Sequence, residues 1–151
     1  MSEKNFILVT RDGERPNGGK VPALEVIRAR LVKNRWPIYE NTRGRKSFEV
    51  GNEVAFYIGG LSESSGFIVA KARIRKISKA ISYNFEDEDI LEEPPFLFLE
   101  FTDISHLKMP IKFRDKLESL SICPKNLQKW GVILIGGCRQ VGKDDWRVIF
   151  S

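Results

Sequence analysis

The stretch from Phe48 to Ile77, FEVGNEVAFYIGGLSESSGFIVAKARIRKI, most narrows what this chain can fold into. Val54, Phe56 and Ile58 fall on one face of an extended segment, and Ala55 and Tyr57 on the other. Gly59-Gly60 and Ser64-Ser65-Gly66 are small residues at which a strand ends and the chain reverses. From Phe67 the alternation resumes, with Ile68, Ala70, Ala72, Ile74 and Lys76 pointing one way and Phe67, Val69, Lys71, Arg73, Arg75 and Ile77 the other. The pattern predicts an antiparallel hairpin with a buried face and a basic stripe. Lys71, Arg73 and Arg75 suit two readings: a surface that holds a polyanion, or an edge strand guarded from pairing by its charges.

The flanking segments supply the rest of an α+β domain. Asn5 to Thr10, NFILVT, reads as a central strand, and Arg11 to Lys20 is a loop dense in turn formers. A helix follows from Pro22, with Leu24, Ile27 and Leu31 on one face. Pro37 ends it and pushes Trp36 into an extended conformation. Pro37 to Lys46 reads as a polar loop carrying Tyr39, Asn41, Thr42, Arg43, Arg45 and Lys46. Beyond the hairpin, Ser78 to Pro95 is a long acidic connection containing Tyr83 and Phe85, and loops of that length are commonly functional or mobile. Phe96 to Phe101 reads as a strand, Thr102 to Pro110 as a turn, and Ile111 to Leu120 as a short helix. Pro124 to Trp130 is a helical turn, Val132 to Ile135 a last strand, and Asp145 to Phe150 a final helical turn capped by Asp144. There is no repeat, linker or low-complexity tail, so residues 1–151 are taken as one domain.

Charge points toward polyanions. The net charge is +5, but six of the twenty acids lie between Glu86 and Glu93. Set apart, they leave fourteen acids against twenty-five basic residues, or +11 on the remainder. A compact domain with that bias attracts nucleic acid through phosphate contacts and counterion release, although basic proteins without such a partner exist. Cys123 and Cys138 form neither a CxxC pair nor a disulfide framework and read as core thiols of a reducing compartment. No apolar run approaches a membrane span and the polar start lacks a signal peptide, so a cytoplasmic protein without membrane contact is expected.

Catalytic signatures fail on inspection. GCRQVGKD, Gly137 to Asp144, has the spacing of a phosphate-binding loop. It places a carboxylate, Asp144, where that loop needs a magnesium-ligating hydroxyl. His106 is the only histidine, so histidine metal sites and the usual serine triads lack their parts. The acids cluster in one loop rather than as opposed pairs, and Asp103 and Glu100 are the best remaining carboxylates. Neither an enzyme nor a cofactor is expected. The aromatic residues are more suggestive. Trp36, Tyr39 and Tyr57 are each flanked by polar or small residues in or beside a loop, where an aromatic ring either closes the core or stacks on a base, a contact worth about 1–3 kcal/mol.

The order strand, helix, Trp-led loop ending in NT (Trp36 to Thr42), then VGNEVAFYIGG (Val50 to Gly60) and GFIVAKARI (Gly66 to Ile74), resembles the EVE domain. That domain is a branch of the PUA-like superfamily related to the YTH readers. The ending GGCRQVGKDDWRVI, Gly136 to Ile149, resembles the family's closing segment. The resemblance implies a small twisted mixed β-barrel flanked by short helices, with a pocket for a flipped, often methylated base. It implies Trp36 as one pocket wall, Tyr57 and Ile58 as the floor, and Tyr83 or Phe85 as a further wall. With Tyr39 and Asp103 these complete the expected pocket. Arg139 matches a phosphate-contacting position, and Arg43, Arg45, Lys46 and Lys143 are further candidates. Such domains read modified DNA beside a nuclease or a GTP-driven motor, here expected as separate subunits. The expected function is therefore non-catalytic recognition of a modified base, most readily in DNA. The alternatives are an RNA-reading module and a protein-interaction module using the acidic loop.

Overall fold

The computed structural model describes residues 4–15, 17–60, 62–80 and 94–151. A curled six-stranded mixed sheet, a half-barrel, forms its centre. In chain order the elements begin with β1 (Asn5–Thr10), a two-residue ribbon β2 (Gly13–Glu14) and β3 (Lys20–Val21), and helix α1 (Ala23–Lys33). Then come β4 (Trp36–Ile38), β5 (Glu53–Ile58), β6 (Phe67–Lys79) and β7 (Leu97–Lys112). The chain closes with α2 (Phe113–Leu117), a 3-10 segment (Leu127–Leu134), β8 (Cys138–Val141) and α3 (Lys143–Ile149). The sheet order is β4-β7-β6-β5-β1-β8. β1 runs parallel to β5, with Leu8 opposite Phe56 and Thr10 opposite Ile58, and the other pairs in this sheet are antiparallel.

Both faces of the sheet are covered, which is why β1 is apolar almost throughout. Phe6 and Leu8 join Val54, Phe56 and Ile58 against Ala23, Ile27 and Leu31 of α1. Ile7, Ala55 and Tyr57 face the opposite way, toward Phe113, Leu117, Ile133, Trp146 and Ile149. The period of two read from Val54 to Ile58 is thus the one the sheet uses.

The structure corrects several local expectations. The return strand changes face at Val69: Ile68 lies with Tyr57, whereas both Val69 and Ala70 lie with Phe56. The register shifts between Ile68 and Ala70, and a bulge of this kind breaks strict alternation. β6 is not an edge strand, for it lies between β5 and β7. Its stripe is largely neutralised, with Arg73 2.9 Å from Glu53 and Arg75 3.0 Å from Glu100. β7 absorbs the expected turn from Thr102 to Pro110, because shifts in its register with β6 accommodate the surplus residues. Asp103 adopts φ +54° at one of them. Val132 to Ile135 is not a strand but the end of the 3-10 segment and its C-cap, and β8 is the strand that pairs with β1. Gly142, not Asp144, precedes α3, and no side chain among the described residues caps that helix. Pro37 lies within β4, an edge strand, where its missing N–H costs little.

Asn34 fixes the approach of β4. It ends α1 in the left-handed region, φ 53°. Its Nδ2 donates to Phe101 O at 2.9 Å, and its Oδ1 accepts from Phe101 N at 2.7 Å. Asn34→Ala removes both bonds and leaves a Cβ-bearing residue with no side-chain compensation in that conformation. The expected loss is about 2–3 kcal/mol, read by urea denaturation, with Asn34→Gly losing less.

Candidate functional site

The C-terminal end of β1, the end of β4, one flank of α1 and the Gly136-Gly137 turn converge on one cavity of about 360 Å³. Local bonding explains the convergence. Val9 N donates to Gly137 O at 2.9 Å, which ties the glycine turn to β1. Arg43 N donates to Gly136 O at 2.9 Å, which ties the loop after β4 to the same turn. That loop is itself a tight turn, with Thr42 N donating to Tyr39 O and Tyr39 N donating to Thr42 Oγ1. Gly136 has φ +94°, and a Cβ there would stand 2.9 Å from the Arg43 Cβ, so both conformation and space demand glycine.

The walls combine aromatic, cationic and polar groups. Trp36 and Tyr39 line the cavity together with Arg11 and Arg30. The Trp36 ring is buried, 4.7 Å from Phe56 and 6.3 Å from Phe101, and the Arg30 guanidinium lies 5.1 Å over it. Thr10 also lines the cavity. It is 4% exposed, and its buried Oγ1 has no hydrogen-bond partner among the described residues. A hydroxyl in that state costs free energy until something pairs with it. Beyond the glycine turn, Arg43 and Arg139 border a smaller depression of about 330 Å³ over Cys138. Burial pushes the Cys138 thiol up to about 12, against a smaller opposing effect of the Arg43 charge.

The structure brings some of the expected site residues together and separates others. Trp36 and Tyr39 share the cavity, Arg43 is bonded to its Gly136, and Arg139 borders the separate depression with Arg43. Ile58 is buried with Trp36 in the same core but does not line the cavity. Tyr57 lies on the opposite face of the sheet, 5.8 Å from Phe113, and burial raises its hydroxyl pKa. Since Phe56 and Ile58 face Trp36, the residue between them must face away. Asp103 is exposed on β7, 3.7 Å from Arg73. Arg45 pairs with Glu40 at 3.4 Å and lies over the Phe96 ring, and Lys46 is exposed in the same loop. Lys143 borders a separate groove of about 550 Å³ with Lys4, Arg73 and Trp146. Tyr83, Phe85 and the acid-rich run from Glu86 to Glu93 lie outside the described residues.

Thr10, Arg11 and Arg30 are among the cavity residues that sequence reasoning missed. A polar residue closing an apolar strand just before a turn was the available signal for Thr10. Arg30 carried none, because its place follows from how α1 lies on the sheet. Among the described residues no group of three or more side chains of metal-ligating type comes together, and no helix is long and apolar enough to cross a membrane.

No family model matches the chain, and no curated protein matches its sequence. Solved structures do match over nearly its whole length. Human THYN1, in complex with DNA containing 5-methylcytosine, is 12% identical with a TM-score of 0.57, over 96% of this chain and 94% of that one. The N-terminal domain of McrB from Staphylothermus marinus is 8% identical with a TM-score of 0.59, over 97% and 92%. A protein from Pseudomonas putida is 15% identical with a TM-score of 0.56, over 97% of each chain. With its curled six-stranded half-barrel and short helices, the chain shares the fold of these solved structures.

Proposed function

We propose that this protein binds DNA without chemistry of its own and holds a modified base, flipped out of the duplex, in the cavity between β1, β4 and the Gly136-Gly137 turn. The observation that carries the reading is a cavity walled by Trp36 and Tyr39, with the Thr10 Oγ1, unpartnered among the described residues, enclosed in its wall. The volume of about 360 Å³ is within the range of small-molecule sites, roughly 300–1,000 Å³. Arg43 and Arg139, which border the neighbouring depression, would contact the phosphates flanking such a nucleotide. The likeness in fold to THYN1, which was solved with 5-methylcytosine-containing DNA, supports the same class of ligand. The protein would then be the specificity component of a restriction-type system, with nuclease or motor activity on a separate subunit.

Magnitudes locate the selectivity. A buried methyl contributes only about 0.8 kcal/mol, close to fourfold. Sharper discrimination has to come from a hydrogen bond to the base edge, since a site built for one rejects ligands that cannot make it. Thr10→Val tests this with opposite signs in two assays. Stability is expected to hold or rise by about 1 kcal/mol, because the unpaired hydroxyl is gone. Affinity for the modified duplex is expected to fall about tenfold. Thermal denaturation reads the first quantity. Fluorescence anisotropy on methylated, hydroxymethylated and plain oligonucleotides, as DNA and as RNA, reads the second. Equal affinity for all of them by the parent protein would refute the reading.

A further inference from the structure

The turn that closes the cavity also holds two aliphatic side chains in solvent. Val132 is 55% and Ile135 60% exposed, whereas Ile133 and Leu134 between them are buried. Those two buried residues and Trp130, 6.1 Å from Phe113, anchor the segment in the core. Leu134 and Gly136 line the cavity, so Ile135, the residue between them, stands at its lip. Ile135 is held in place. Its N–H donates to Val132 O at 3.2 Å, and the glycine turn that follows is bonded to Arg43 on one side and to Val9 on the other. A fixed apolar point thus stands next to Gly136, which is bonded to Arg43, at the rim of a cavity of suitable size for a base.

A duplex that has given up one base has a gap in its stack, and apolar side chains enter such gaps from protein surfaces that also bind the backbone. We propose that Ile135, backed by Val132, is the wedge that occupies the stack in place of the base taken into the cavity. The occupant of this ridge is therefore double-stranded DNA, chosen by the charge of Arg43 beside the glycine turn and by continuity with the cavity. The inference rests on the base-binding reading above and adds to it a reason for the protein to engage a duplex rather than a single strand.

Ile135→Ser and the double variant Val132→Ser/Ile135→Ser change exposed side chains, so they leave the core intact. Each is titrated with a 5-methylcytosine duplex, with the matching single strand, and with a duplex carrying 2-aminopurine beside the modified base. Affinity for the duplex is expected to fall about tenfold or more, with single-strand affinity unchanged and the 2-aminopurine signal of unstacking reduced. If the parent protein prefers modified over plain DNA and Ile135→Ser binds the duplex equally well, the wedge is overturned while base binding stands. A parent protein that distinguishes modified from plain DNA in neither form overturns base binding, and the wedge with it. Self-association of the parent protein that Ile135→Ser abolishes, with duplex affinity unaffected, would assign the ridge to a second copy of the chain and also overturn the wedge.

Discussion

Trp36→Ala is expected to lower stability by about 3–5 kcal/mol, the range for deleting a large buried aromatic side chain. The ring is 3% exposed and meets Phe56, Phe101 and Arg30. It also belongs to the short edge strand whose pairing with β7 sets Trp36 opposite Leu99. Truncation opens a hole between sheet and helix and leaves Arg30 without its aromatic partner. Against a typical total of 5–15 kcal/mol, much of the protein would be unfolded on mild heating. Weak DNA binding by that variant would report on folding rather than on recognition. Trp36→Phe, which keeps an aromatic ring in the core, is the better probe of the cavity wall. Urea denaturation gives the number, and a loss below about 1 kcal/mol would place Trp36 outside the core.

A second large effect is alkaline destabilisation through Cys138. Burial raises its thiol from 9.0 to about 12, in spite of the Arg43 charge nearby, and the residue is 2% exposed. A group whose pKa is higher in the folded state gives its full contribution below its unfolded value. That contribution is lost as pH rises through the folded value. Between pH 9 and about 12 the unfolded chain ionises at this position while the folded one resists, so folding becomes steadily less favourable. Three pH units at about 1.4 kcal/mol each give a loss of about 4 kcal/mol across the window. The raised Tyr57 hydroxyl acts in the same direction. Urea midpoints measured from pH 8 upward are expected to fall through this range, and Cys138→Ala is expected to flatten the fall. An unchanged slope in Cys138→Ala would show that folding does not raise the thiol's pKa. The same burial makes Cys138 unreactive toward alkylating reagents in the folded protein.

Much of the framework was legible in the sequence because it depends on short-range periodicity. β1, α1 and the β5-β6 pairing follow from alternation and helical spacing that tertiary contacts then reinforce. The extent of β7 was not legible, since a strand that bulges and passes through a left-handed Asp103 looks like a turn in one dimension. Tyr57 shows a different limit. Its own alternation already set it against Phe56 and Ile58, and only the packing of Trp36 on Phe56 reveals which of the two faces borders the cavity. Thr10 is a third case, because an Oγ1 without a partner among the described residues is a property of the folded surroundings and leaves no mark on the residue type. Arg43 and Arg139 sit far apart in sequence and share a depression only because the glycine turn is bonded to both β1 and the loop after β4.

The cavity claim is tested most directly by amide chemical shifts recorded while the protein is titrated with a modified duplex and, separately, with the same duplex unmodified. The shifts that depend on the modification are expected at Val9 to Arg11, Tyr39 to Thr42 and Gly136 to Gly137, the segments that bound the cavity. Identical shifts with both duplexes, or modification-dependent shifts confined to the Lys71, Arg73 and Arg75 face of β6, would contradict it.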